Sequence, residues 1–381
     1  MSPTNVVGRL ADLRHILTVM KVLAIVPAVY DTSPGQRFRL EQWEPLLKEA
    51  GVEITYAPFE TAELRNVLYR KGNALSKIKA IGRNLRQRKA DVKRAGDYGL
   101  VYVFREAALL GPAWFERKIA QSGVPMVFDF DDAVFVAYKS PSNGYLSYLK
   151  FPGKTATICR LSAHVMAGNQ YLADYALKEN PNVTIIPTTI DTEKYTPPVR
   201  TAEPETLTIG WSGSFSTVQH LDTIREVLQE LATTEKFKLR VIGTPEYDLP
   251  GVETEAIQWR SDTEIEDLQK IDIGLMPLPD EDWSRGKCGL KALQYMALGI
   301  PTICSPVGVN STIIQDSENG YLADAKDEWI KNLKVMLHSP ELRKKIGMAG
   351  RKTVEDGYSA ISQAPRVLQV FRRAIEEKSR R

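Results

Sequence analysis

The most restrictive feature of the sequence is a strand–loop–helix–strand unit between residues 271 and 304. The apolar run Ile271–Met276 ends at two closely spaced prolines, which is typical of a buried parallel strand that ends in a loop. Lys287–Leu298 then has helical spacing, and a glycine and a proline precede a second apolar run, Thr302–Cys304. Two parallel strands joined by a helix need a crossover connection, so this unit predicts an α/β fold with a parallel sheet.

The same alternation runs through the rest of the chain and divides it in two. A chain of 381 residues is too long for one ordinary core. A polar, proline-containing linker at Pro197–Pro204 separates the two halves. We therefore expect an N-terminal domain over residues 20–198 and a C-terminal domain over 205–358. The other predicted strands are Lys21–Pro27, Val52–Ala57, Leu100–Phe104, Pro125–Phe130, His164–Gly168, Val183–Pro187, Leu207–Trp211, Lys238–Ile242 and Ala256–Trp259.

Composition and simple motifs exclude several classes of protein. The three cysteines form no pattern, so neither a disulfide framework nor a structural zinc site is indicated. The loop Pro27–Gly35 lacks Gly-x-Gly-x-x-Gly spacing, which disfavours an NAD or FAD enzyme. No apolar run has the length of a membrane span, and Met1–Val19 lacks the apolar core of a signal peptide. A location in the cytoplasm is the expectation.

Lys287 and Lys291 predict an anion site. On the expected helix Lys287, Lys291 and Gln294 share one face, and two lysines so placed repel each other unless an anion lies between them. Both also lie near the helix start, where free N–H groups favour an anion such as phosphate. The alternative is a pair of solvated surface lysines.

The turn Ser212–Ser214 is the second candidate for phosphate contact. Small residues between a strand and a helix let backbone N–H groups approach a phosphate. A simple tight turn is the alternative.

A third group of candidates follows the strands of the first half. Arg37 and Arg39 are placed to hold an anionic acceptor, or are surface arginines. Asp129 and Asp131 lie where open α/β sheets keep their sites. They could contact an acceptor, handle a proton, cap the next loop, or form a short acidic metal motif.

The segment Arg65–Arg94 is strongly basic although the whole chain carries a formal charge of only +3. Its eleven lysines and arginines are interrupted by a single acidic residue, Asp91. Leu68, Leu75, Ile78, Ile81 and Leu85 form an apolar stripe at helical spacing. Such a helix can lie on an anionic membrane or pack on its own domain. Nucleic acid is disfavoured because no interleaved aromatic residues offer a stacking platform.

Several motifs together resemble the nucleotide-sugar glycosyltransferases of family 4. They are Thr189–Pro197, Gly210–Ser214, Asp272–Pro277, Gly286–Ala297 and Gly299–Gly308. The resemblance covers nearly all of the chain after Met20. It implies the GT-B fold, in which two Rossmann-like domains face each other across a cleft and a C-terminal helix crosses back to the first domain. By this resemblance residues 359–381 would complete the N-terminal domain.

The resemblance also implies roles for residues at matching positions. The donor would be bound by Ser212, Gly213, Ser214, Trp259, Arg260, Lys287, Cys288, Gly289, Leu290, Lys291 and Gln294. The acceptor would contact Gly35, Arg37, Arg39, Arg105 and Asp129. Lys287 and Lys291 would stabilise the leaving diphosphate, and Asp131 would orient the acceptor or take its proton. Relatives usually need no metal or other cofactor and retain the anomeric configuration.

The chain departs from that family at the helix expected to bind the donor. Gly286 and Gln294 stand where relatives often have two glutamates, so an acidic side chain from Glu281 or Asp282 would have to replace the first. The expected function is glycosyl transfer from a nucleoside-diphosphate sugar to a glycan or lipid-linked acceptor, in cell-surface polysaccharide or glycolipid synthesis. The alternatives are an inactive nucleotide-sugar-binding subunit and a sugar-nucleotide epimerase of GT-B type.

Overall fold

The computed structural model describes residues 19–61, 63–64, 74–136, 151–199 and 202–379. These residues divide into two compact units. The first contains residues up to 186 together with 364–379, and the second contains residues 187–363. In the described part of the chain, each unit is built on one parallel sheet of six strands with helices around it. The predicted α/β class and the two Rossmann-like domains are confirmed.

The sheet of the first unit has the strand order β2-β1-β3-β4-β5-β6. Its central strands are buried along their whole length, as expected for a sheet covered on both faces. The strands are β1 Met20–Val26, β2 Val52–Pro58, β3 Leu100–Phe104, β4 Met126–Phe130, β5 His164–Ala167 and β6 Val183–Ile185. The helical segments are Pro34–Gln36, a π-helical turn Arg37–Glu41, Gln42–Glu49, Ala74–Lys93, the 3-10 turn Ala95–Asp97, Trp114–Gln121, Lys154–Leu161 and Gln170–Leu177.

The sheet of the second unit has the order β12-β11-β10-β7-β8-β9. The strands are β7 Leu207–Ser212, β8 Phe237–Ile242, β9 Thr254–Ile257, β10 Ile273–Met276, β11 Thr302–Cys304 and β12 Tyr321–Leu322. The helical segments are Gln219–Asp222, Arg225–Leu231, Glu264–Gln269, Asp282–Arg285, Leu290–Ala297, Asn310–Ile313, Lys326–His338, Pro340–Thr353 and the π-helical turn Val354–Tyr358. β12 was not predicted, because a strand of two residues has no periodicity to detect.

The last helix, Ala360–Ser379, leaves the second unit after residue 363 and continues in the first. Its Phe371 is fully buried there and packs edge-on against Tyr102 of β3, with the ring centroids 6.0 Å apart. The apolar side of this helix therefore belongs to the core of the first unit.

Residues 187–198, which precede the linker, lie in the second unit. The sequence analysis had assigned them to the N-terminal domain. Ile190 forms a bridge with Ser359, and the Tyr195 hydroxyl donates to Glu264 at 2.8 Å. These contacts, rather than proximity along the chain to β6, decide where residues 187–198 pack. The boundary at residue 198 is corrected to residue 186.

Candidate functional site

Both sheets have a topological switch point beside their first strand. In the first unit β2 and β3 lie on opposite sides of β1, and in the second unit β8 and β10 lie on opposite sides of β7. Open α/β sheets bind ligands at such points, outside the carboxyl ends of the strands. The loops that leave β1, β3, β7 and β10 contain most of the candidate residues.

Two lysine–tryptophan contacts mark the switch point of the second unit. Lys291 Nζ lies 5.4 Å from the centroid of Trp211, which is part of β7. Lys287 Nζ lies 4.6 Å from the centroid of Trp283, in the short helix Asp282–Arg285 that follows β10. Both lysines are half-buried. Because a cation is attracted to the face of an indole ring, each ammonium group is held in place rather than left mobile in solvent.

The helix carrying Lys291 begins later than predicted. It runs from Leu290 to Ala297, and Gly289 before it has a left-handed backbone with φ 72°. A Cβ atom at Gly289 would also lie 2.3 Å from the Cδ1 of Ile313, so glycine suits this position on two counts. The prediction that Lys287 shares a helix face with Lys291 and Gln294 is therefore wrong. Lys287 belongs to the preceding loop.

A buried histidine, which the sequence interpretation missed, lies in the electrostatic field of both lysines. His220 is 3% exposed and its Nδ1 has no hydrogen-bond partner in the described part of the chain. Burial, then Lys291 and then Lys287 lower the pKa of His220 to about 4. The imidazole is therefore neutral at physiological pH, because burial and the positive charges of Lys291 and Lys287 disfavour a third cation beside them.

The turn Ser212–Ser214 has its backbone donors occupied. The N–H of Ser212 donates to the Tyr295 hydroxyl at 2.7 Å, and that of Gly213 donates to the Ile242 carbonyl at 2.9 Å. The N–H of Ser214 donates to Thr217 Oγ1 at 3.0 Å. These three groups do not point at an open phosphate site, which contradicts that part of the prediction.

The small residue at position 213 is explained by packing instead. A Cβ on Gly213 would lie 2.2 Å from the Trp211 ring, and a Cβ on Gly243 would lie 1.8 Å from the Gly213 carbonyl oxygen. The loops after β7 and β8 therefore lie in close contact. This packing supports the alternative interpretation of Ser212–Ser214 as a simple tight turn.

The remaining predicted donor residues differ in exposure. Gln294 is 3% exposed, and its Nε2 donates to Glu264 Oε1 at 3.1 Å. Trp259 is half-buried and donates to the same oxygen at 3.0 Å. Arg260 is exposed and paired with Asp262 at 2.8 Å. Cys288 is buried, and its thiol donates to the Gly286 carbonyl at 3.8 Å.

In the first unit, Arg39 and Asp129 form a buried ion pair. Both are 0% exposed. Arg39 Nε donates to Asp129 Oδ2 at 3.0 Å, and its two Nη atoms donate to Asp129 Oδ1 and the Ile186 carbonyl. The Tyr102 hydroxyl also donates to Asp129. Burial lowers the pKa of Arg39, but the Asp129 carboxylate outweighs it and holds the pKa above its ordinary value.

This pair joins the loop after β1 to β3, β4 and the end of β6, so its role is to hold the core of the unit together. Side chains with no exposure cannot contact an acceptor. The prediction that Arg39 and Asp129 bind one is corrected for that reason.

Arg105 and Asp131 lie at the surface of the same strand ends. Arg105 Nε donates to Asp131 Oδ1 at 2.6 Å, and the two side chains are 30% and 9% exposed. A Cβ on Gly35 would lie 2.7 Å from Arg105 Nη2 and 2.9 Å from Asp131 Oδ2, so Gly35 lies directly against the pair. Arg37 is paired with Asp31 at 2.8 Å. Of these predicted residues, Gly35, Arg105 and Asp131 come together at the switch point.

The backbone at Arg105 is strained, with φ 58° in a region that only glycine adopts readily. Such strain costs about 1–3 kcal/mol and concentrates at functional sites.

Asp131 is an ionised carboxylate rather than a proton acceptor tuned to neutral pH. Burial raises its pKa, but Arg105 and, to a lesser extent, Arg39 outweigh burial and hold the pKa below its ordinary value. A weak base of this kind is suited to orient a hydroxyl group by accepting its hydrogen bond. Asp131 and Asp129 have different partners and do not converge. Among the described residues, no group of three His, Cys, Asp or Glu side chains is placed to hold a metal ion.

Comparison with known proteins agrees with this geometry. Residues 196–353, which include the whole second switch point, match the family described as glycosyl transferases group 1. Residues 196–353 are therefore similar to the glycosyltransferase domains of that family, and the narrower assignment to family 4 stays a prediction. A search of curated protein sequences finds no match to this chain.

Several solved structures have the same fold over most of the chain. Sucrose-phosphate synthase from Thermosynechococcus elongatus matches with a TM-score of 0.68 at 14% identity, covering 94% of this chain and 100% of that one. A glycosyltransferase from Rickettsia africae matches with a TM-score of 0.66 at 15% identity over 94% and 100% of the two chains. Anabaena HepE in complex with UDP-glucose matches with a TM-score of 0.62 at 13% identity over 92% and 99%. These similarities establish the GT-B fold.

Proposed function

We propose that this protein is a glycosyltransferase that moves a sugar from a nucleoside-diphosphate sugar to an acceptor hydroxyl, with retention and without a metal ion or other cofactor. The observation that carries the proposal is the pair Lys287 and Lys291, held over Trp283 and Trp211 at the switch point of a glycosyl transferases group 1 domain. HepE, which has the same fold, is known in complexes with UDP and UDP-glucose.

The two lysines act on the leaving group. As the glycosidic bond to the diphosphate breaks, negative charge grows on the phosphate oxygen that departs. Ammonium groups already in place stabilise that charge without reorganisation. Lys291 lies in the first turn of its helix, where the helix dipole adds to the attraction. Trp259 and Gln294 contact the nucleoside.

The acceptor is held in the first unit by Arg105 and Asp131. Asp131 accepts a hydrogen bond from the reacting hydroxyl, and Arg105 and Arg37 donate to its neighbours. Each arginine there is paired with an aspartate. This charge balance favours a neutral, hydroxyl-rich acceptor over an anionic one. A glycan or a lipid-linked sugar in cell-surface polysaccharide or glycolipid synthesis has that chemistry.

Binding and turnover of nucleotide sugars test the proposal. A nucleoside diphosphate at 100 times its dissociation constant adds about 2.7 kcal/mol to the free energy of unfolding. For a unit of this size that raises the melting temperature by roughly 5–10 °C. We expect such a shift with one base in a panel of UDP, GDP and ADP, and slow release of the diphosphate from the corresponding nucleotide sugar.

The two alternatives give different results in the same experiment. A nucleotide-sugar-binding subunit without activity would show the thermal shift but no diphosphate release, even with acceptors present. An epimerase would convert the sugar nucleotide to an isomer in the absence of any acceptor. No shift with any nucleotide in the panel would contradict all three functions.

We further propose that the first unit binds an anionic membrane surface on the cytoplasmic side. Lys79, Arg83, Arg86 and Lys93 are exposed along one face of the helix Ala74–Lys93. Arg88 lies on the opposite side, buried, where it donates to the Ala57 carbonyl at 2.7 Å and the Val26 carbonyl at 3.0 Å.

Apolar side chains accompany this basic face. Ile78 of the helix is 65% exposed, and Trp114, which begins the helix packed against it, is 60% exposed. The apolar stripe predicted for this helix therefore does not act as one surface. Ile81 and Leu85 pack against a core cluster, whereas Ile78 faces outward. Residues 65–73, including Leu68, lie outside the described residues. No helix among the described residues is long and apolar enough to cross a membrane.

Vesicle sedimentation measures this surface directly. We expect the protein to pellet with vesicles containing anionic lipid at low salt, and the bound fraction to fall as salt screens the charges. The double variant Lys79→Glu/Arg86→Glu should lose most of this binding, because about 1 kcal/mol is expected per basic residue near the surface. The matched control Lys344→Glu/Lys345→Glu reverses two exposed lysines in the second unit and should bind normally. Equal binding of both variants would refute the assignment.

A further inference from the structure

A single buried carboxylate connects the residues assigned to the nucleoside. Glu264 is 4% exposed and begins the helix Glu264–Gln269. The Tyr195 hydroxyl donates to its Oε2 at 2.8 Å, and Trp259 Nε1 donates to its Oε1 at 3.0 Å. Gln294 Nε2 also donates to Oε1, at 3.1 Å. Glu264 thus joins three segments of the second unit that are distant in sequence.

The hydrogen bonds of Glu264 fix the orientation of the Gln294 amide. Both Glu264 oxygens act as acceptors in these contacts, so the amide turns its NH₂ group toward Oε1. The Tyr195 hydroxyl, 3.4 Å from the same Nε2, lies on the same side. The two ends of an amide diverge, and Gln294 Oε1 is therefore directed away from this cluster as an acceptor.

We infer that Glu264 is a positioning residue for the nucleotide: it presents Gln294 Oε1 to a ribose hydroxyl and holds the Trp259 ring beside the base. This inference rests on the proposed binding of a nucleotide sugar. Gln294 then has the acceptor that a ribose hydroxyl needs, although it lacks the charge of a glutamate. The ligand class is a ribonucleoside diphosphate, and a deoxyribose lacking that hydroxyl is bound less tightly.

Discrimination between ribose and deoxyribose measures this role separately from folding. The probes are UDP and GDP, each compared with its 2′-deoxy and 3′-deoxy counterparts. We expect the wild-type protein to bind the ribonucleotide roughly 3- to 10-fold more tightly than one of its deoxy forms, which corresponds to one hydrogen bond. Glu264→Leu should reduce this ratio to about 1, because the Gln294 amide is then free to rotate. Gln294→Leu should remove the preference as well.

Two variants serve as matched controls on the same cluster. Glu264→Gln should keep the ribose preference, because its amide oxygen can still accept from Trp259 and Gln294 while the Tyr195 hydroxyl turns to accept from its NH₂. Tyr195→Phe removes a hydrogen bond from the same carboxylate but leaves the contact to Gln294, so it should also keep the preference. Both variants remain informative if Glu264→Leu does not fold.

Binding of inorganic pyrophosphate distinguishes failure of this inference from failure of the proposed function. Pyrophosphate should bind the wild type and the Glu264 variants equally, since it needs only the two lysines. A wild-type protein that binds neither pyrophosphate nor any nucleotide would overturn the proposed function. A Gln294→Leu variant that keeps the wild-type preference for ribose, or a Glu264→Gln variant that loses it, would overturn the inference while leaving the function in place.

Discussion

Replacing Lys287 or Lys291 with Ala is expected to lower the turnover number of the transferase about 10²–10³-fold, the usual loss when one preorganised electrostatic group is removed from a reacting anion. The reason is geometric. Lys287 Nζ and Lys291 Nζ lie 4.6 Å and 5.4 Å from indole ring centroids, so each charge is in place before the reaction begins. A preorganised charge acts on the transition state, and kcat should therefore fall more than the Michaelis constant for the donor rises.

The measurement is steady-state release of nucleoside diphosphate with the nucleotide sugar identified by thermal shift. Lys270→Ala is the matched control, because Lys270 is an exposed lysine of the same unit that pairs with Asp267 at 3.5 Å. It should retain wild-type turnover. If both Lys287→Ala and Lys291→Ala also turn over at the wild-type rate, the assignment of the lysines to the leaving diphosphate is wrong.

The largest effect on stability is expected from breaking the pair Arg39 and Asp129. Removing one partner leaves the other charge buried without compensation, which destabilises a protein by about 3–5 kcal/mol. Asp129→Ala and Arg39→Leu should each lower the melting temperature by roughly 6–20 °C. Tyr102→Phe, which removes one donor to the same carboxylate, should cost about 1–2 kcal/mol.

The free energy of unfolding of each of these variants is measured by urea unfolding, monitored by intrinsic fluorescence. The double variant Arg39→Leu/Asp129→Ala should be more stable than the sum of the two single losses predicts, because no charge is left unpaired. Arg160→Leu breaks an exposed pair with Glu179 in the same unit and should cost about 1 kcal/mol or less. Single variants as stable as Arg160→Leu would mean that Arg39 and Asp129 do not support the core.

The strands could be predicted from sequence because each carries its own signal. β3 and β4 are runs of five residues that are buried throughout, and their apolar composition marks them without reference to the rest of the chain. Boundaries were less certain where the local signal is weak. The strand expected at Ala256–Trp259 is β9, which runs from Thr254 to Ile257 and so starts two residues earlier than expected.

The candidate site was predicted in part for the same reason. Residues that follow a strand lie at its carboxyl end whatever the tertiary structure, so Arg105, Asp131 and Lys287 could be placed at the edges of the sheets. The sequence could not show which of these side chains faces solvent. Asp129 and Asp131 are two residues apart, yet Asp129 is 0% exposed while Asp131 takes part in the surface cluster with Arg105.

The sequence by itself determined the order of strands and helices, the two-domain division, and the positions where lysines and carboxylates follow strands. Those properties depend on local periodicity and chain connectivity. The tertiary structure alone decided which polar groups are paired. It buried Arg39 against Asp129, engaged the N–H groups of Ser212–Ser214, and brought Glu264 to Gln294 across 30 positions of sequence. The partners of a polar group come from segments that are distant in the sequence, so only the folded chain decides which donors and acceptors are buried in its own contacts.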